Sequence, residues 1–292
     1  MLDRGSPFIP PCIPTLVDRP PNGDTWVHEI KYDGYRTQIH FGATPHAYTR
    51  NGHDWLTKYM PVVLAGSGMF SGSAIIDGEM VVQDEQGRSD FKRLATSIRW
   101  SQANLIFYAF DLLALDGQDL RGAPCETRRH RLHELIGDPD PTSRIQFSQS
   151  YEGSGDEFFA AADAMGLEGI VSKRRASPYR SGPSRDWLKT KAYTTGEYIV
   201  VGYERMKGEA PSLLLADEGL RYVGRAIPAI IGAARDELWQ ALEYLHTDHW
   251  AADVGANKGA VPVSPALRVL AKHLRGEEKL RHATVTAVLP PG

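Results

Sequence analysis

The stretch HEIKYDGYR, residues 28–36, decides how the chain is interpreted, because it combines strand-like alternation with an Asp-Gly pair and a lysine. Asp33 and Gly34 tolerate the positive φ of a type I′ turn, so the segments on either side, WVHEIK and YRTQIHF, are predicted to form a β-hairpin. Lys31 stands two residues before the turn. It is either a solvated lysine on a surface hairpin or a fixed amine that attacks phosphorus.

The composition is that of an ordinary globular protein. The chain has 292 residues, of which 42% are hydrophobic and 24% charged. Its two cysteines, Cys12 and Cys125, are far apart and outside any Cys-x-x-Cys pattern, which disfavours a disulfide framework or a zinc site. No apolar run is long enough for a membrane span, and the N-terminus lacks the layout of a signal peptide. We therefore expect a cytoplasmic protein with no membrane partner.

The formal net charge of −3 argues against a nucleic-acid partner, but it conceals a local excess of cations. Residues 168–191 contain seven basic and only two acidic residues. Such a run is usually a solvated face. Because these basic residues flank strand-like segments, a phosphate-facing surface is an equally good interpretation.

Hydrophobic periodicity divides the chain near residue 192. Residues 5–23 are expected to be irregular, 73–84 to form a second Asp-Gly hairpin, and 104–115 to form a buried strand. Helices are predicted at 126–137 and 155–166, which both end in Gly. Residues 1–192 are therefore predicted to form an antiparallel-rich α+β domain.

The remaining residues, 193–292, have the pattern of a small β-barrel. A polar joint at 192–197 is followed by strand-like segments and by an amphipathic helix within 229–246. The segment 266–274 fits either a helix or a strand. Several short strands and one helix in this length favour an OB-fold.

A site for nucleotidyl transfer needs a nucleophile, cations for the phosphates, carboxylates for a hard metal ion and an aromatic face for the base. Lys31 is the candidate nucleophile. Lys189 and Lys191 alternate in WLKTK, so both are predicted to lie on one face of a strand, where they would hold phosphate oxygens. Glu79 and Glu168 are candidate metal or ribose ligands. Phe110 is a candidate stacking residue, although each of these has an ordinary explanation when taken alone.

Six motifs occur together and in order, and through them the chain resembles the ATP-dependent DNA ligases among the covalent nucleotidyltransferases. They are KYDGYR (31–36), TRNGHDW (49–55), IIDGEMVV (75–82), FYAFDLL (107–113), EGIVSKR (168–174) and DWLKTK (186–191). The arm CIPTLVDRPP and the segment RHATVTAVL are similar to the ligase module of bacterial non-homologous end-joining ligases of the LigD type.

The resemblance implies an α+β nucleotidyltransferase domain, of ATP-grasp-like antiparallel sheets with helices, followed by a mobile OB-fold domain. It also implies a reaction in three steps. Lys31 attacks the α-phosphate of ATP and forms lysyl-AMP, AMP passes to a 5′-phosphate of DNA, and a 3′-hydroxyl displaces AMP. ATP and Mg²⁺ or Mn²⁺ are the expected cofactors.

The resemblance assigns roles to residues that match the motifs, while Asp33 is expected only to order the turn. The implied adenosine contacts are Glu29 with the adenine edge, Phe110 stacked on adenine, and Arg36 and Glu79 at the ribose. The implied phosphate contacts are Arg36, Arg50, Lys189 and Lys191, with Lys173 and Arg281 toward DNA. The implied metal-associated carboxylates are Glu79 and Glu168.

The implied partners are nicked or broken duplex DNA, a Ku-like end-binding protein and an end-joining polymerase, with the chain acting as a monomer at the bacterial nucleoid. A separate N-terminal DNA-binding domain is not expected. After Arg281 the tail has no basic residue, so Lys272, Arg275 or Lys279 would have to replace a family cation that orients pyrophosphate.

Two other classes of function remain open. An RNA ligase or an mRNA-capping guanylyltransferase would use the same nucleophile on another substrate. A nucleic-acid-binding protein with an inactive transferase domain would have no need of Lys31, Glu79 and Glu168. The segments EGIVSK and FDLL favour the DNA ligase.

Overall fold

The computed structural model describes residues 8–69, 72–138, 140–205, 210–255, 259–275 and 279–290. The chain forms two compact units, Met1–Lys191 and Ala192–Gly292. The first unit mixes helices and strands, and the second contains a closed β-barrel.

The first unit consists of two sheets with helices packed against them. Its strands are β1 (Cys12–Leu16), β2 (Trp26–Ile30), β3 (Tyr35–Phe41), β4 (His46–Thr49), β5 (Ala74–Val81), β6 (Ile106–Leu115), β7 (Gln118–Asp119), β8 (Ile145–Phe147), β9 (Ser150–Tyr151), β10 (Gly169–Arg174) and β11 (Gly182–Lys191). Its helices are α1 (Leu56–Ser67), α2 (Phe91–Trp100), α3 (Cys125–Ile136) and α4 (Gly155–Ala164).

The first sheet has the order β1-β11-β10-β2-β9, and the second has the order β4-β3-β5-β6-β7 with β8 parallel to β6. The second sheet and its helices hold the main core, in which Ile39, Ile76, Phe107, Leu112 and Tyr59 are fully buried. This core fixes the face of the second sheet that carries part of the site.

The hairpin predicted around Asp33-Gly34 is wrong. β2 pairs with β10 and β9, whereas β3 pairs with β4 and β5, so residues 31–34 carry the chain from one sheet to the other. Neither Asp33 nor Gly34 has a positive φ. The glycine is required because a Cβ there would lie 2.3 Å from the Met80 carbonyl oxygen. Close backbone approach, not turn type, explains this Asp-Gly pair.

The second predicted hairpin, at 73–84, is also wrong, because β5 runs without interruption through Asp77 and Gly78. The Asp77 carboxylate accepts two hydrogen bonds from the Arg36 guanidinium. A Cβ on Gly78 would lie 2.4 Å from the Phe107 ring. Burial of an aromatic ring against the strand therefore accounts for this second Asp-Gly pair.

The predicted helices are confirmed as α3 and α4. Both are followed by a glycine in the left-handed region, Gly137 at φ +80° and Gly166 at φ +76°. Several elements were not predicted, among them α1, α2 and β1. Pro61 inside α1 obscured that helix, α2 is only ten residues long, and the arm at 5–23 contains β1, which pairs in parallel with β11.

The second unit contains β12 (Tyr193–Glu204), β13 (Ser212–Ala216), β14 (Tyr222–Pro228), α5 (Ala233–Tyr244), β15 (Val261–Pro262), β16 (Arg268–Leu274) and β17 (Leu280–Val288). The order β13-β14-β17-β16-β12 closes into a five-stranded barrel through the β12–β13 pairing. Residues 193–197 of the predicted polar joint belong to β12, and residues 268–274 of the ambiguous segment form the strand β16. The predicted small barrel is confirmed.

No helix in the described ranges is both long and apolar enough to cross a lipid bilayer.

Candidate active site

The candidate site is a pocket between the two sheets of the first unit. On the first sheet, Val171 of β10 lies between Glu29 of β2 and Lys189 of β11. Side chains alternate along a strand, so every second residue of these three strands faces the pocket. β3, β5 and β6 form the opposite wall.

The pocket gathers most of the residues that the motifs singled out. Those that line it are Glu29, Lys31, Arg36, Arg50, Glu79, Phe110, Lys173 and Lys189. Glu168 joins the pocket through an ion pair with Lys31, and Lys191 pairs in turn with Glu168. Arg281 belongs to β17 in the second unit, and its side chain lies outside the described residues.

Lys31 lies at the end of β2, where its backbone N–H donates to the carbonyl of Gly169 at 3.0 Å. Its ammonium group forms an ion pair with Oε2 of Glu168, and Lys191 Nζ is 2.8 Å from Oε1 of the same carboxylate. The Glu168 side chain is only 5% exposed, whereas that of Lys31 is 22% exposed. One buried carboxylate therefore bridges two lysines, and Lys31 remains accessible from the pocket.

Lys189 adds a third ammonium group to this cluster. It is half-buried and forms no ion pair with a carboxylate of the described residues. Burial lowers the pKa of Lys189, and the positive charges of Lys31 and Lys191 lower it further. Crowded cations with few counterions attract anions, so this end of the pocket is suited to phosphate groups.

Glu79 is half-buried in the opposite wall and forms no ion pair within the part of the chain that the structure describes. Burial raises the pKa of Glu79 to about 8, against the opposing effect of Lys31. A carboxylate destabilised in this way is well suited to a cation. The described residues contain no group of three or more His, Cys, Asp or Glu side chains arranged around a metal. Mg²⁺ needs only one or two protein carboxylates beside substrate phosphates and water, so Glu79 and Glu168 fit it.

Arg36 is held by a chain of hydrogen bonds. Its guanidinium donates to both oxygens of Asp77, at 2.8 and 2.7 Å, and Tyr179 donates its hydroxyl to the same carboxylate at 2.5 Å. The backbone N–H of Cys12 then donates to that hydroxyl at 3.0 Å. The guanidinium carbon lies 4.7 Å from the centre of the Phe110 ring. Arg36 is therefore a rigid part of the pocket wall with its charge largely neutralised.

The sequence did not predict the charge cluster beneath Phe110. Glu29 is buried and lies 2.6 Å from Lys173 Nζ and 2.8 Å from a nitrogen of Arg129, while its other oxygen accepts from Ser148 at 3.0 Å. Arg129 also donates to the carbonyls of Phe110 and Ser148. These contacts tie α3 to the base of the pocket.

Lys173 was predicted from the resemblance to contact DNA, and the structure places it elsewhere. It is 2% exposed, and its ammonium group donates to the Phe110 carbonyl at 3.1 Å and lies 4.5 Å from the centre of the Phe110 ring. With Glu29 as its counterion, Lys173 is built into the pocket wall. This position favours a role in supporting Phe110 over a contact with a DNA backbone.

Two further features escaped the sequence interpretation. Asp111, next to Phe110, forms a fully buried bidentate ion pair with Arg128 of α3, at 2.7 and 2.8 Å. Because an aspartate inside an apolar strand needs a counterion, Asp111 was the one sign in the sequence that a buried cation such as Arg128 would lie nearby. Tyr32 lines the pocket and stacks on Tyr108, with ring centres 4.0 Å apart. Nothing in the sequence pattern pointed to that pair.

Comparison with known proteins is consistent with this geometry. Residues 13–191 match the family model of the ATP-dependent DNA ligase domain. The multifunctional non-homologous end joining protein LigD of Pseudomonas aeruginosa is 36% identical over 82% of the chain and 29% of its own length. The LigD protein of Mycobacterium tuberculosis H37Rv is 30% identical over 83% of the chain and 33% of its own length. The chain thus spans about a third of these relatives.

A solved structure shares the fold over nearly the whole chain. Mycobacterial DNA ligase D complexed with ATP and MES superposes with a TM-score of 0.58 and 27% identity, covering 96% of this chain and 95% of the other.

Proposed function

Because this chain belongs to the ATP-dependent DNA ligase family, we propose that it joins DNA strands through an adenylate formed on Lys31. The observation that carries the proposal is the cluster of Lys31, Lys189 and Lys191 around the single carboxylate of Glu168. It combines a nucleophile, phosphate-binding cations and a proton acceptor in one pocket.

In the first step the Lys31 amine attacks the α-phosphorus of ATP. The ammonium group gives its proton to solvent or to Glu168, the N–P bond forms, and the P–O bond to pyrophosphate breaks. Lys189 and Lys191 stabilise the negative charge that develops on the α-phosphate oxygens. A divalent cation, when bound by Glu79 and Glu168, supplies further neutralisation of the triphosphate.

The base end of the pocket is built to hold adenine. Phe110 offers a ring supported by Lys173 and Arg129, and Glu29 lines the same pocket. The Glu29 carboxylate itself is already engaged by Lys173, Arg129 and Ser148. We therefore assign base recognition at Glu29 to its backbone.

In the later steps AMP passes from Lys31 to a 5′-phosphate, and a 3′-hydroxyl then displaces AMP as the new phosphodiester forms. Residues 1–192 serve as the adenylation domain and 193–292 as the OB domain. The names of the LigD relatives support a role in end joining, with broken duplex DNA as substrate and with a Ku-like protein and a polymerase as partners. Such a protein would work in the bacterial cytoplasm on nucleoid DNA.

The test uses ATP labelled on the α-phosphate. The wild-type chain with Mg²⁺ or Mn²⁺ should acquire label without DNA, and nicked duplex should then discharge the label as the strand is sealed. Labelled GTP distinguishes a DNA ligase from a capping enzyme, because only the capping enzyme would label itself with GTP. Nicked RNA separates it from an RNA ligase. Absence of label from ATP with either metal would refute the proposal.

A further inference from the structure

The inference concerns Tyr179, a buried tyrosine in the connection between β10 and β11 that none of the six motifs includes. Tyr179 is only 4% exposed, although residues 175–185 are rich in proline, glycine and serine, as in a surface loop. The inference rests on the proposed function, because it identifies a residue that prepares the pocket for its nucleotide.

The connection that carries Tyr179 is fixed from two sides. The backbone N–H of Tyr179 donates to the carbonyl of Arg121 at 2.8 Å, and the Arg128 guanidinium donates to the carbonyl of Ser177 at 3.0 Å. The Tyr179 ring packs edge-on against Trp187 of β11, which lines the pocket. Backbone and ring therefore hold the Tyr179 hydroxyl in a defined place.

The Tyr179 hydroxyl is both a donor and an acceptor of hydrogen bonds. It donates to Oδ2 of Asp77 at 2.5 Å and accepts the backbone N–H of Cys12 at 3.0 Å. Burial and the negative charge of Asp77 raise the pKa of Tyr179 well above its usual value, so the hydroxyl keeps its proton and remains a donor. Asp77 is itself buried, and the low local dielectric strengthens this hydrogen bond.

Asp77 in turn determines the direction of the Arg36 guanidinium. Nε and Nη2 of Arg36 donate to the two oxygens of Asp77, at 2.8 and 2.7 Å. The other N–H groups of this guanidinium form no hydrogen bond within the described part of the chain, although the Arg36 side chain is only 16% exposed and lines the pocket. These N–H groups are therefore available to oxygen atoms of a bound nucleotide.

Tyr179 supplies the contact that fixes the rotation of this ion pair. An arginine and a carboxylate joined by two hydrogen bonds form a planar unit, which can still turn as a whole about the side-chain bonds of both residues. Phe110 contacts a face of the guanidinium, with its ring centre 4.7 Å away, but a ring face does not fix rotation within that plane. A hydrogen bond to Oδ2 from a separate segment does. We propose that Tyr179 is a positioning residue that acts through Asp77 to hold Arg36 in the orientation that binds the nucleotide.

The test measures the binding of α,β-methylene-ATP with Mg²⁺ by isothermal titration calorimetry, in the full-length wild type, Tyr179→Phe, Arg36→Lys and the double variant. This analogue has a P–C bond where ATP has the P–O bond that breaks, so binding is measured without transfer. Tyr179→Phe should raise the dissociation constant about tenfold, because Arg36 is then free to turn. In the Arg36→Lys background the same change should have less than about a twofold effect, because a lysine cannot form the bidentate pair that Tyr179 fixes.

Tyr59→Phe is the matched control, because it removes a buried tyrosine hydroxyl from the main core, on the other face of the second sheet. It should bind the analogue as wild type does. Asp77→Asn interrupts the same chain of hydrogen bonds at its next link and should show the same dependence on Arg36.

Thermal denaturation of every variant, with binding measured below each Tm, separates positioning from folding. A tyrosine with a merely structural role would lower the Tm and weaken binding by the same factor in both backgrounds. A dissociation constant within about twofold of wild type for Tyr179→Phe, or equal losses with Arg36 and with Lys at position 36, would overturn the inference.

Failure of the proposed function would be recognised separately, because binding of the analogue needs no catalysis. A wild-type chain that binds the analogue with the expected dependence on Tyr179, but never labels itself with ATP, would refute the ligase mechanism and support the role of Tyr179. A chain that labels itself, and whose affinity does not depend on Tyr179, would do the opposite.

Discussion

Lys31 and Glu168 form an ion pair at the wall of the pocket, and the second oxygen of Glu168 is 2.8 Å from Lys191 Nζ. The lysine that we propose as the nucleophile, which must lose a proton before it attacks, thus contacts a carboxylate that can accept one. Lys191 holds that carboxylate from its other side. We therefore propose that Glu168 both accepts the proton of Lys31 and holds Lys31 and Lys191 together, and this leads to the first prediction.

Glu168→Gln should reduce the rate of self-adenylation at saturating ATP by at least about 100-fold. The amide has nearly the same shape but cannot accept the proton, and it leaves two ammonium groups without their counterion. Incorporation of α-labelled ATP in single-turnover experiments measures the rate. Glu157→Gln, at an exposed carboxylate on α4, is the matched control and should behave as wild type. A Glu168→Gln rate within threefold of wild type would contradict this role.

Lys31→Ala and Lys31→Arg should both fail to acquire label from ATP. Alanine has no nucleophile, and the arginine guanidinium stays protonated. Both variants should keep the wild-type circular dichroism spectrum, because Glu168 keeps Lys191 as a partner. Lys58→Ala, at an exposed lysine of α1, should label normally. Label retained on either Lys31 variant would mean that another residue is the nucleophile.

Glu79→Gln should change how stability depends on pH. Burial raises the pKa of Glu79 to about 8 from an ordinary value of 4.5, so between these pH values the folded state binds more protons than the unfolded state. Stability is therefore lost as pH rises through that range, and glutamine removes this loss. The Tm of Glu79→Gln should exceed that of wild type by more at pH 8 than at pH 5.

Thermal denaturation in steps from pH 5 to pH 8 provides the measurement for Glu79. Glu85→Gln, at an exposed carboxylate that follows β5, should show a Tm difference that does not vary over the same range. A constant Tm difference for Glu79→Gln would show that its carboxyl is ionised throughout.

Arg129→Met should lower the free energy of unfolding by about 3–5 kcal/mol. The change leaves Glu29 with Lys173 as its only cation and removes a donor from the carbonyls of Phe110 and Ser148. Urea denaturation measures the loss. Arg131→Met on the same helix should cost less than about 1 kcal/mol, because the hydrogen bond from its side chain to Gln118 is exposed at the surface. Equal losses for the two variants would argue against the buried cluster.

Those features of the site that depend on strand periodicity could be predicted from sequence. Lys189 and Lys191 alternate on a strand, and the structure places both around Lys31. The order of motifs also indicated which segments share the pocket. This reasoning works because a strand's side-chain direction is fixed by its local geometry.

Features that depend on contacts between distant segments could not be predicted in this way. The two Asp-Gly pairs at 33–34 and 77–78 looked like turns, but the glycines are required by the Met80 carbonyl and the Phe107 ring. The helix at 126–137 was predicted, but not that its Arg128 and Arg129 would be buried against carboxylates from other elements. Local propensity contains no information about such partners.

Residues 31–34 form a short covalent connection between the two sheets, and Lys31 is its first residue. This connection is only four residues long, and Gly34 packs closely against Met80. We therefore expect the two sheets to stay at a fixed distance from each other at this point. Any widening of the gap between them would pull directly on the nucleophile. If the proposed function is right, we therefore expect nucleotides to enter and leave through the open rim of the pocket, while Lys31 keeps its position.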